Sequence, residues 1–219
     1  MFYVFDIETM PDSSKISLLP EPEVKLGNLK DETKIAEKKA EARAEQIAKM
    51  ALNPLYGRII CAVFSAPGVN GELESYRLTA GDDDEEEAAL IAGCFGVLRQ
   101  DGARLVTWNG MCFDVPFLFK RAAILGVPLH DVLPFWCKRY STGPHIDLMQ
   151  VWSNWNSQQY AKLDDVAGVC ADAHKIKIDF RDFPELVKTE DGRNRIADYC
   201  EQDVRLTYRN FQKFNGVLF

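Results

Sequence analysis

Hydrophobic positions along the chain fall into continuous apolar runs and into stretches with helical spacing. Residues 2–8 are nearly all apolar or aromatic, which predicts a strand buried on both faces in the middle of a sheet. Residues 58–65 and 72–79 predict two strands joined by a Gly-Val-Asn-Gly turn, as in a hairpin. Two more strands are predicted, at 103–108 and at the start of 145–152.

Helical patterns fill most of the sequence between these strands. Residues 31–52 are rich in Ala, Glu and Lys, with opposite charges four residues apart, and predict a helix with a solvated face. Asn53-Pro54 ends this helix. Residues 11–30 contain three prolines and are predicted to form a loop. Further helices are predicted at 84–99, 114–125, the end of 145–152, 162–170 and 192–214.

The order of these elements indicates one α/β domain over residues 1–219. We expect a mixed five-stranded sheet with helices on both faces. Residues 11–57 interrupt the strands and are interpreted as a helical insertion near one end of the first strand. No run of 18 apolar residues occurs, so no membrane span is expected.

Composition limits how the protein binds its partners. The 219 residues have a formal net charge of −7, so no general basic field is present to hold nucleic acid. The six cysteines include no CxxC pair, so a zinc site is not expected. Scattered cysteines favour a reducing compartment, and we expect a cytoplasmic protein.

Two acidic residues end the first predicted strand. Asp6 and Glu8 are two positions apart, so both carboxylates lie on the same face of the strand. They repel each other and lose solvation, which is costly unless a positive group lies nearby. A divalent cation with oxygen ligands is the usual solution. The alternative is that Glu8 simply lies at a solvated strand end.

A third acidic residue follows the 103–108 strand. Asn109 and Gly110 predict a turn, and Asp114 then begins the next helix. Open α/β sheets build their sites at the carboxyl ends of strands, which favours a functional role for Asp114. The alternative is ordinary capping of the helix that follows.

The last predicted helix carries a tyrosine and an aspartate one turn apart. Tyr199 and Asp203 lie on the same helical face, and this face otherwise consists of inward-facing residues. A buried acid needs a partner, and no lysine or arginine lies one turn away on this face. The alternative is a hydrogen-bonded Tyr–Asp pair within the core. Glu201 and Gln202 are expected to be solvated.

Taken together, these motifs resemble the DEDD superfamily of 3′→5′ exonucleases. The resemblance is carried by YVFDIET at 3–9, WNG with F-D at 108–114, and Y-x-x-x-D at 199–203. It extends from residue 3 to about residue 207. The chain is most similar to the tyrosine subgroup (DEDDy), which includes the proofreading domains of family-B DNA polymerases and their stand-alone relatives. Asp198 stands where the sister subgroup has a histidine.

The resemblance implies an RNase H-like fold and two divalent cations, Mg²⁺ or Mn²⁺. It implies that Asp6, Glu8, Asp114 and Asp203 bind the metals, with Asp6 bridging both ions. These four residues and Tyr199 would be the catalytic residues. Tyr199 has a free pKa of about 10, so it is expected to orient the attacking water and not to act as a base.

The expected substrate is the 3′ end of DNA, single-stranded or mispaired. Asn109, Trp108, Phe113 and Phe117 are the predicted substrate contacts, the aromatic ones through base stacking. Local basic groups are expected to help. These are Lys120, Arg121, Lys138, Arg139, Lys175 and Lys177.

Two alternatives to a DNA exonuclease stay open from the sequence. The first is an RNA 3′→5′ exonuclease of the same superfamily, since nothing in the sequence reports a contact to a 2′-hydroxyl group. A catalytically silent module that binds nucleic acid or a polymerase is the other alternative, and a polymerase or replication partner is compatible with either.

Asp147 is interpreted as a helix cap more than as a support for the site, and the acidic run 82–87 as a solvated helix start.

Overall fold

The structure is a computed structural model, and it describes residues 1–27, 30–129, 132, 135 and 139–219. Its centre is a five-stranded sheet in the order β3-β2-β1-β4-β5. The β1–β2 and β2–β3 pairs are antiparallel, and the β1–β4 and β4–β5 pairs are parallel. The predicted mixed sheet is therefore confirmed. The strands are β1 (Phe2–Pro11), β2 (Gly57–Pro67), β3 (Leu73–Thr79), β4 (Arg104–Thr107) and β5 (His145–Asp147).

Seven α-helices surround this sheet within the described part of the chain. They are α1 (Glu32–Met50), α2 (Asp84–Leu98), α3 (Asp114–Leu125), α4 (Leu148–Trp152), α5 (Leu163–Ala171), α6 (Phe183–Leu186) and α7 (Glu190–Phe214). Side chains that accept hydrogen bonds from first-turn N–H groups fix the starts of the longer ones: Asp31 caps α1, Asp83 caps α2 and Thr189 caps α7.

Two hydrophobic layers cover the two faces of the sheet. Phe5 and Phe64 pack with α2 and α3 on one face. Val4 and Val63 pack with α7 on the other. Successive residues of a strand point to opposite faces, so the continuous apolar sequence of β1 follows from burial on both sides. The predicted central position of β1 and the helices on both faces are confirmed.

The segment between β1 and β2 leaves the sheet and returns to it beside its starting point. The backbone N–H of Asp12 donates to the carbonyl oxygen of Tyr56 at 2.9 Å, which closes the base of the excursion. The prediction of a loop over 11–30 was partly wrong, because Ser13–Leu18 form a 3₁₀ helix. The Asp12 side chain begins it by accepting hydrogen bonds from the N–H and hydroxyl of Ser14 at 3.0 and 2.6 Å.

The acidic run before α2 is only in part the solvated helix start that the sequence predicted. Glu87 is fully buried and forms an ion pair with the buried guanidinium of Arg121 on α3, with hydrogen bonds of 2.8 and 2.6 Å. Arg121 was expected to contact substrate, and this expectation was wrong, because its charge is neutralised inside the core. Within the described residues, we find no helix with the length and hydropathy required to cross a membrane.

Candidate metal centre

Asp6 and Glu8 lie side by side on the central strand β1, near its end. Glu8 is buried and Asp6 is half-buried. The pairing between β1 and β2 shifts by one residue directly after Glu8. The Cys200 thiol of α7 reaches this pair, with its Sγ 3.5 Å from the carbonyl oxygen of Asp6. One ligand atom from each of the three residues lies within 4.8 Å of the others.

Asp114 joins these acids from the start of α3. Its Oδ1 accepts a hydrogen bond of 3.1 Å from the backbone N–H of Ile7, the residue between Asp6 and Glu8 in β1. Residue Phe113 occupies the cap position of α3, and no side chain caps the helix there. Asp114 thus faces β1, which favours the site over the capping alternative.

Asp203 approaches from α7, which packs across β1 and β2. Its carboxylate is hydrogen-bonded to Tyr199 and forms an ion pair with Lys175. The Oδ1 atom of Asp203 is buried without a hydrogen-bond partner among the described residues. A buried, unsatisfied carboxylate oxygen is costly in a folded protein. This oxygen is therefore available to a ligand.

Lys175 is the basic partner of Asp203, and the residue spacing within α7 could not predict it. It lies in the irregular segment after α5, and its ammonium nitrogen lies 5.3 Å from the centre of the Tyr199 ring. Burial alone would lower the pKa of Lys175, but the neighbouring Asp203 carboxylate outweighs burial and raises it. Lys175 therefore stays charged at neutral pH and neutralises part of the acidic cluster.

Two other polar residues of α7 differ from the sequence expectation. Glu201 was expected to be solvated, but it is buried and forms ion pairs with Arg77 of β3 and Arg205. Gln202 is half-buried, and its side chain accepts from the N–H of Ile176 at 2.6 Å. The expectation was wrong for Glu201, because the distant strand β3 packs on that side of α7. It was partly right for Gln202, because its hydrogen bonds to the segment 174–176 lie at the surface.

The carboxyl groups are held in an environment that disfavours their charge. Burial raises the pKa of Asp6, and the charges of Asp114, Glu8 and Asp203 raise it further. Burial, opposed in part by backbone hydrogen bonds, raises the pKa of Asp114 to about 7. Such mutual influence requires the four groups to be close together. A divalent cation would relieve the repulsion.

The donor set fits a hard metal ion. Burial raises the pKa of the Cys200 thiol, which keeps it protonated and a poor ligand. The neighbouring carboxylates of Asp6 and Glu8 are oxygen donors, the ligand type that hard divalent cations prefer. The assignment of Asp6, Glu8, Asp114 and Asp203 as metal ligands stays a prediction.

Burial also raises the pKa of Tyr199, and the Asp203 charge adds to the effect. The hydroxyl group of Tyr199 is therefore protonated throughout the neutral range and can donate or accept a hydrogen bond. It cannot act as a base near pH 7, and its role in positioning a water stays a prediction.

Asp147 organises the loop that leads to Asp114. Its carboxylate accepts hydrogen bonds from the N–H groups of Asn109 at 3.0 Å and Met111 at 2.9 Å. It also caps α4 by accepting from Met149 at 3.0 Å. The predicted cap is confirmed, and the same side chain supports the site. Asn109 needs this support because it adopts a positive φ of 70°, which is rare outside glycine.

The predicted substrate contacts fall into different environments. Trp108 is half-buried, and its indole N–H donates to the carbonyl oxygen of Ala161 at 3.2 Å. Phe113 is half-buried, whereas Phe117 is only 2% exposed and lies in the core. The ring of Phe117 thus has no free face for a base, so that prediction is corrected. Of the predicted basic contacts, Lys120, Arg139 and Lys177 are exposed, and Lys138 lies outside the described residues.

The fold and the acidic centre together define an α/β domain of the RNase H-like type. Residues 55–218 match the model of a family described as a predicted 3′-5′ exonuclease related to the exonuclease domain of PolB. The match covers well over half of the chain, and the protein belongs to this family. The matched range contains Asp114, Tyr199 and Asp203 but not Asp6 and Glu8.

Curated relatives and a solved structure agree with this family. The chain is 27% identical over 131 residues to a DNA polymerase of Thermococcus aggregans, covering 54% of this chain and 7% of that protein. It is 25% identical over 147 residues to DNA polymerase 1 of Aeropyrum pernix, covering 62% of this chain and 14% of the relative. The family B DNA polymerase of Pyrobaculum calidifontis has the same fold over 98% of this chain and 24% of its own, with a TM-score of 0.58 and 18% identity. The chain thus spans only a small part of these polymerases.

Proposed function

We propose that the protein is a two-metal-ion 3′→5′ exonuclease of the tyrosine subgroup that hydrolyses phosphodiester bonds at the 3′ end of DNA. The proposal is carried by the close approach of Asp6 and Glu8, which offer ligand atoms within 4.8 Å of each other, and it is supported by a buried Asp203 oxygen that has no hydrogen-bond partner among the described residues. Membership in a family of exonucleases related to PolB supports the direction of hydrolysis. The similarity to DNA polymerases supports DNA as the substrate.

Asp6, Glu8, Asp114 and Asp203 would hold the divalent cations. When bound, such ions lower the pKa of a coordinated water and stabilise the negative charge that develops on phosphate oxygens. Asp114 is fixed by the Ile7 N–H, so its carboxylate is already oriented.

Tyr199 would orient the attacking water through its hydroxyl group, which already contacts Asp203. Lys175 would keep a positive charge beside Asp203 and Tyr199, and this charge attracts a phosphate into an otherwise acidic site. These local charges explain how a protein with a net charge of −7 would bind a polyanion.

The direct test offers the purified protein 5′-labelled single-stranded DNA, a duplex with a mismatched 3′ end, and RNA, each with Mg²⁺, Mn²⁺ or a chelator. We expect DNA to shorten stepwise from the 3′ end with either metal and to stay intact with chelator. Asp6→Ala and Asp203→Ala should abolish this shortening. Asp198→Ala is the matched control, because Asp198 is an exposed acid on the same helix as Asp203.

Cleavage that persists in chelator, or full activity in Asp6→Ala and Asp203→Ala, would contradict the two-metal mechanism. If RNA is shortened in preference to DNA, the substrate would be RNA and not DNA. A folded protein that binds all three substrates and cleaves none would identify a silent binding module.

A further inference from the structure

β3 is an edge strand of the sheet, and β2 is its neighbour. The backbone N–H of Ala80 donates to the carbonyl oxygen of Ile60 at 3.0 Å, and the N–H of Gly68 donates to that of Glu72 at 2.7 Å. Because the hydrogen bonds of an antiparallel pair alternate along each strand, the even-numbered residues of β3 bond to β2. The odd-numbered residues point their N–H and C=O groups outward. These residues are Leu73, Ser75, Arg77 and Thr79.

The outer edge of β3 is open within the described part of the chain. Most of its residues are exposed, and Tyr76 at its centre is 51% exposed. The strand contains no proline, and its pairing with β2 has no register shift, so neither of these common devices blocks the edge. Unpaired N–H and C=O groups on an exposed edge form a template for a further strand.

The charges on α7 differ between the two ends of β3. At one end, Arg77 forms an ion pair of 2.8 Å with Asp198. At the other end, Leu73 lines a surface cavity together with Arg205 and Arg209. Arg209 is exposed and has no ion pair among the described residues. α7 therefore presents an acid beside one end of β3 and a free cation beside the other.

We infer that β3 binds β3 of a second copy of this chain as an antiparallel strand, with a two-fold axis at Tyr76. In this register, residue 73 lies opposite residue 79 of the second copy, so the whole of β3 is paired. The two Tyr76 rings lie on the same face of the joined sheet, and aromatic side chains directly opposite each other stabilise a strand pair.

Other registers of the same pair are less favourable. An axis at Glu74 or at Arg77 would place two identical charges directly opposite each other, which destabilises the pairing. An axis at Ser75 would leave the last two residues of β3 without a strand partner. The axis at Tyr76 instead places Glu74 opposite the apolar Leu78 of the second copy.

The charges on α7 also match in this arrangement. A two-fold axis makes an interface self-complementary, because each contact occurs twice. The two α7 helices then run in opposite directions, and Arg209 of each copy lies level with Asp198 of the other. The metal centre lies on β1, two strands inside this edge, so the pairing does not depend on the proposed activity.

Sedimentation velocity tests the pairing on the full chain. We expect the average mass of the wild-type protein to rise from one chain to two as its concentration increases to about 100 µM, because association follows mass action. Tyr76→Lys places two like charges on the axis and should raise the dissociation constant at least about tenfold. Val69→Lys is the matched control, because Val69 is fully exposed in the turn before β3. Thermal melting checks that both variants are folded.

Disulfide cross-linking tests the register. With the axis at Tyr76, the two Cα atoms at position 76 would lie about 4.5 Å apart, which is within the range of a disulfide. Tyr76→Cys should therefore form a covalent dimer under mild oxidation by diamide. Glu74→Cys should not, because its two Cα atoms would be roughly 13 Å apart along the strands. The wild-type protein measures the background from the native cysteines.

Three results would overturn the inference. They are a wild-type protein that stays a monomer throughout the series, Tyr76→Lys that associates as strongly as Val69→Lys, and cross-linking of Tyr76→Cys that does not exceed that of Glu74→Cys. These measurements require no cleavage of DNA, so the inference and the proposed function are tested separately.

Discussion

At the scale of single residues, the candidate centre is held in a state that is unfavourable without a cation. Asp6, Asp114 and Asp203 all have raised pKa values, with burial as the first cause in each. A folded protein tolerates such crowding where the surrounding structure fixes it, and this is typical of functional sites. Each carboxylate should therefore matter more for activity than for stability.

Asp6→Asn should lower kcat about 10³-fold or more while leaving the thermal midpoint equal or higher. A bound metal contributes several kcal/mol to the transition state, and each 1.36 kcal/mol corresponds to a factor of ten. The amide also removes repulsion from Asp114 and Glu8. Steady-state kinetics and thermal melting measure the two effects, with Asp198→Asn as control. A large drop in the melting temperature would instead assign Asp6 a structural role.

Tyr199→Phe should reduce kcat by up to about 10²-fold, the size expected when a reacting water is less well oriented. The shape of the pH–rate profile should not change between pH 6 and 9. The pKa of Tyr199 is raised by burial and by Asp203, so its hydroxyl does not ionise in that range. The profile of the wild-type protein is the reference. Loss of an alkaline rise in the variant would show that Tyr199 acts as a base after all.

At the scale of elements, local sequence patterns were sufficient for most of the fold. The apolar run of β1 and the periodicity of α7 each predicted an element within about three residues of its bounds. The 3₁₀ helix at 13–18 was not predicted, because a single side chain of Asp12 begins it among prolines. The single-domain organisation remains a prediction.

The ionic partners of Glu201 and Asp203 could not be predicted from the sequence, because they come from elements distant along the chain. Glu201 is buried because Arg77 of β3 crosses to α7, and no spacing within α7 encodes that pairing. Lys175 lies in an irregular segment 28 positions before Asp203 in the sequence, so helical spacing could not identify it as a partner. Asp6, Glu8 and Asp203 were predictable as a set because strand and helix geometry placed each on an inward face.

The ion pair between α2 and α3 is the strongest stability prediction at this scale. Arg121→Met should destabilise the fold by about 3–5 kcal/mol, because it leaves Glu87 buried without its partner. Glu87 also accepts from the N–H of Ile59 at 2.9 Å, so the loss extends to β2. Urea unfolding measures the change. The exposed neighbour Lys120 offers the control Lys120→Met, which should change stability by less than about 0.5 kcal/mol.

Adding Glu87→Gln to Arg121→Met should recover part of the lost stability, because the double variant removes the unpaired charge. The Gln side chain keeps an oxygen acceptor for the Ile59 N–H. A double variant that is less stable than Arg121→Met alone would show that hydrogen bonding to Glu87, and not its charge, dominates at this position.

At the scale of the whole molecule, the acidic centre links stability to pH and to metal ions. In the metal-free protein the pKa of Asp114 is about 7, against an ordinary value of about 3.9 in the unfolded chain. The folded protein therefore binds a proton between pH 4 and 7 that the unfolded chain has released. The contribution of Asp114 to folding stability must fall as pH rises through this interval and level off above it.

The titration of other groups changes folding stability with pH in the opposite direction, so their contribution must be cancelled in the measurement. Burial lowers the pKa of His145 to about 4, so its contribution to stability is lost as pH falls from about 6.5 towards 4. Comparing the wild-type protein with Asp114→Asn at each pH cancels His145, because both proteins contain it. In chelator, the stability of the wild-type protein relative to the variant should fall between pH 4 and 7, by at most about 4 kcal/mol.

Bound Mg²⁺ or Mn²⁺ should reverse this dependence of stability on pH. Both ions require ionised carboxylates, so they should raise the melting temperature of the wild-type protein strongly above pH 7 and weakly at pH 5. Asp114→Asn should gain less at either pH, because one ligand has lost its charge. Thermal melting in chelator and in metal at both pH values gives all the comparisons. If added metal stabilised the wild-type protein equally at pH 5 and pH 8, the buried carboxyl groups would not be its ligands, and the acidic cluster would be a structural feature of this fold.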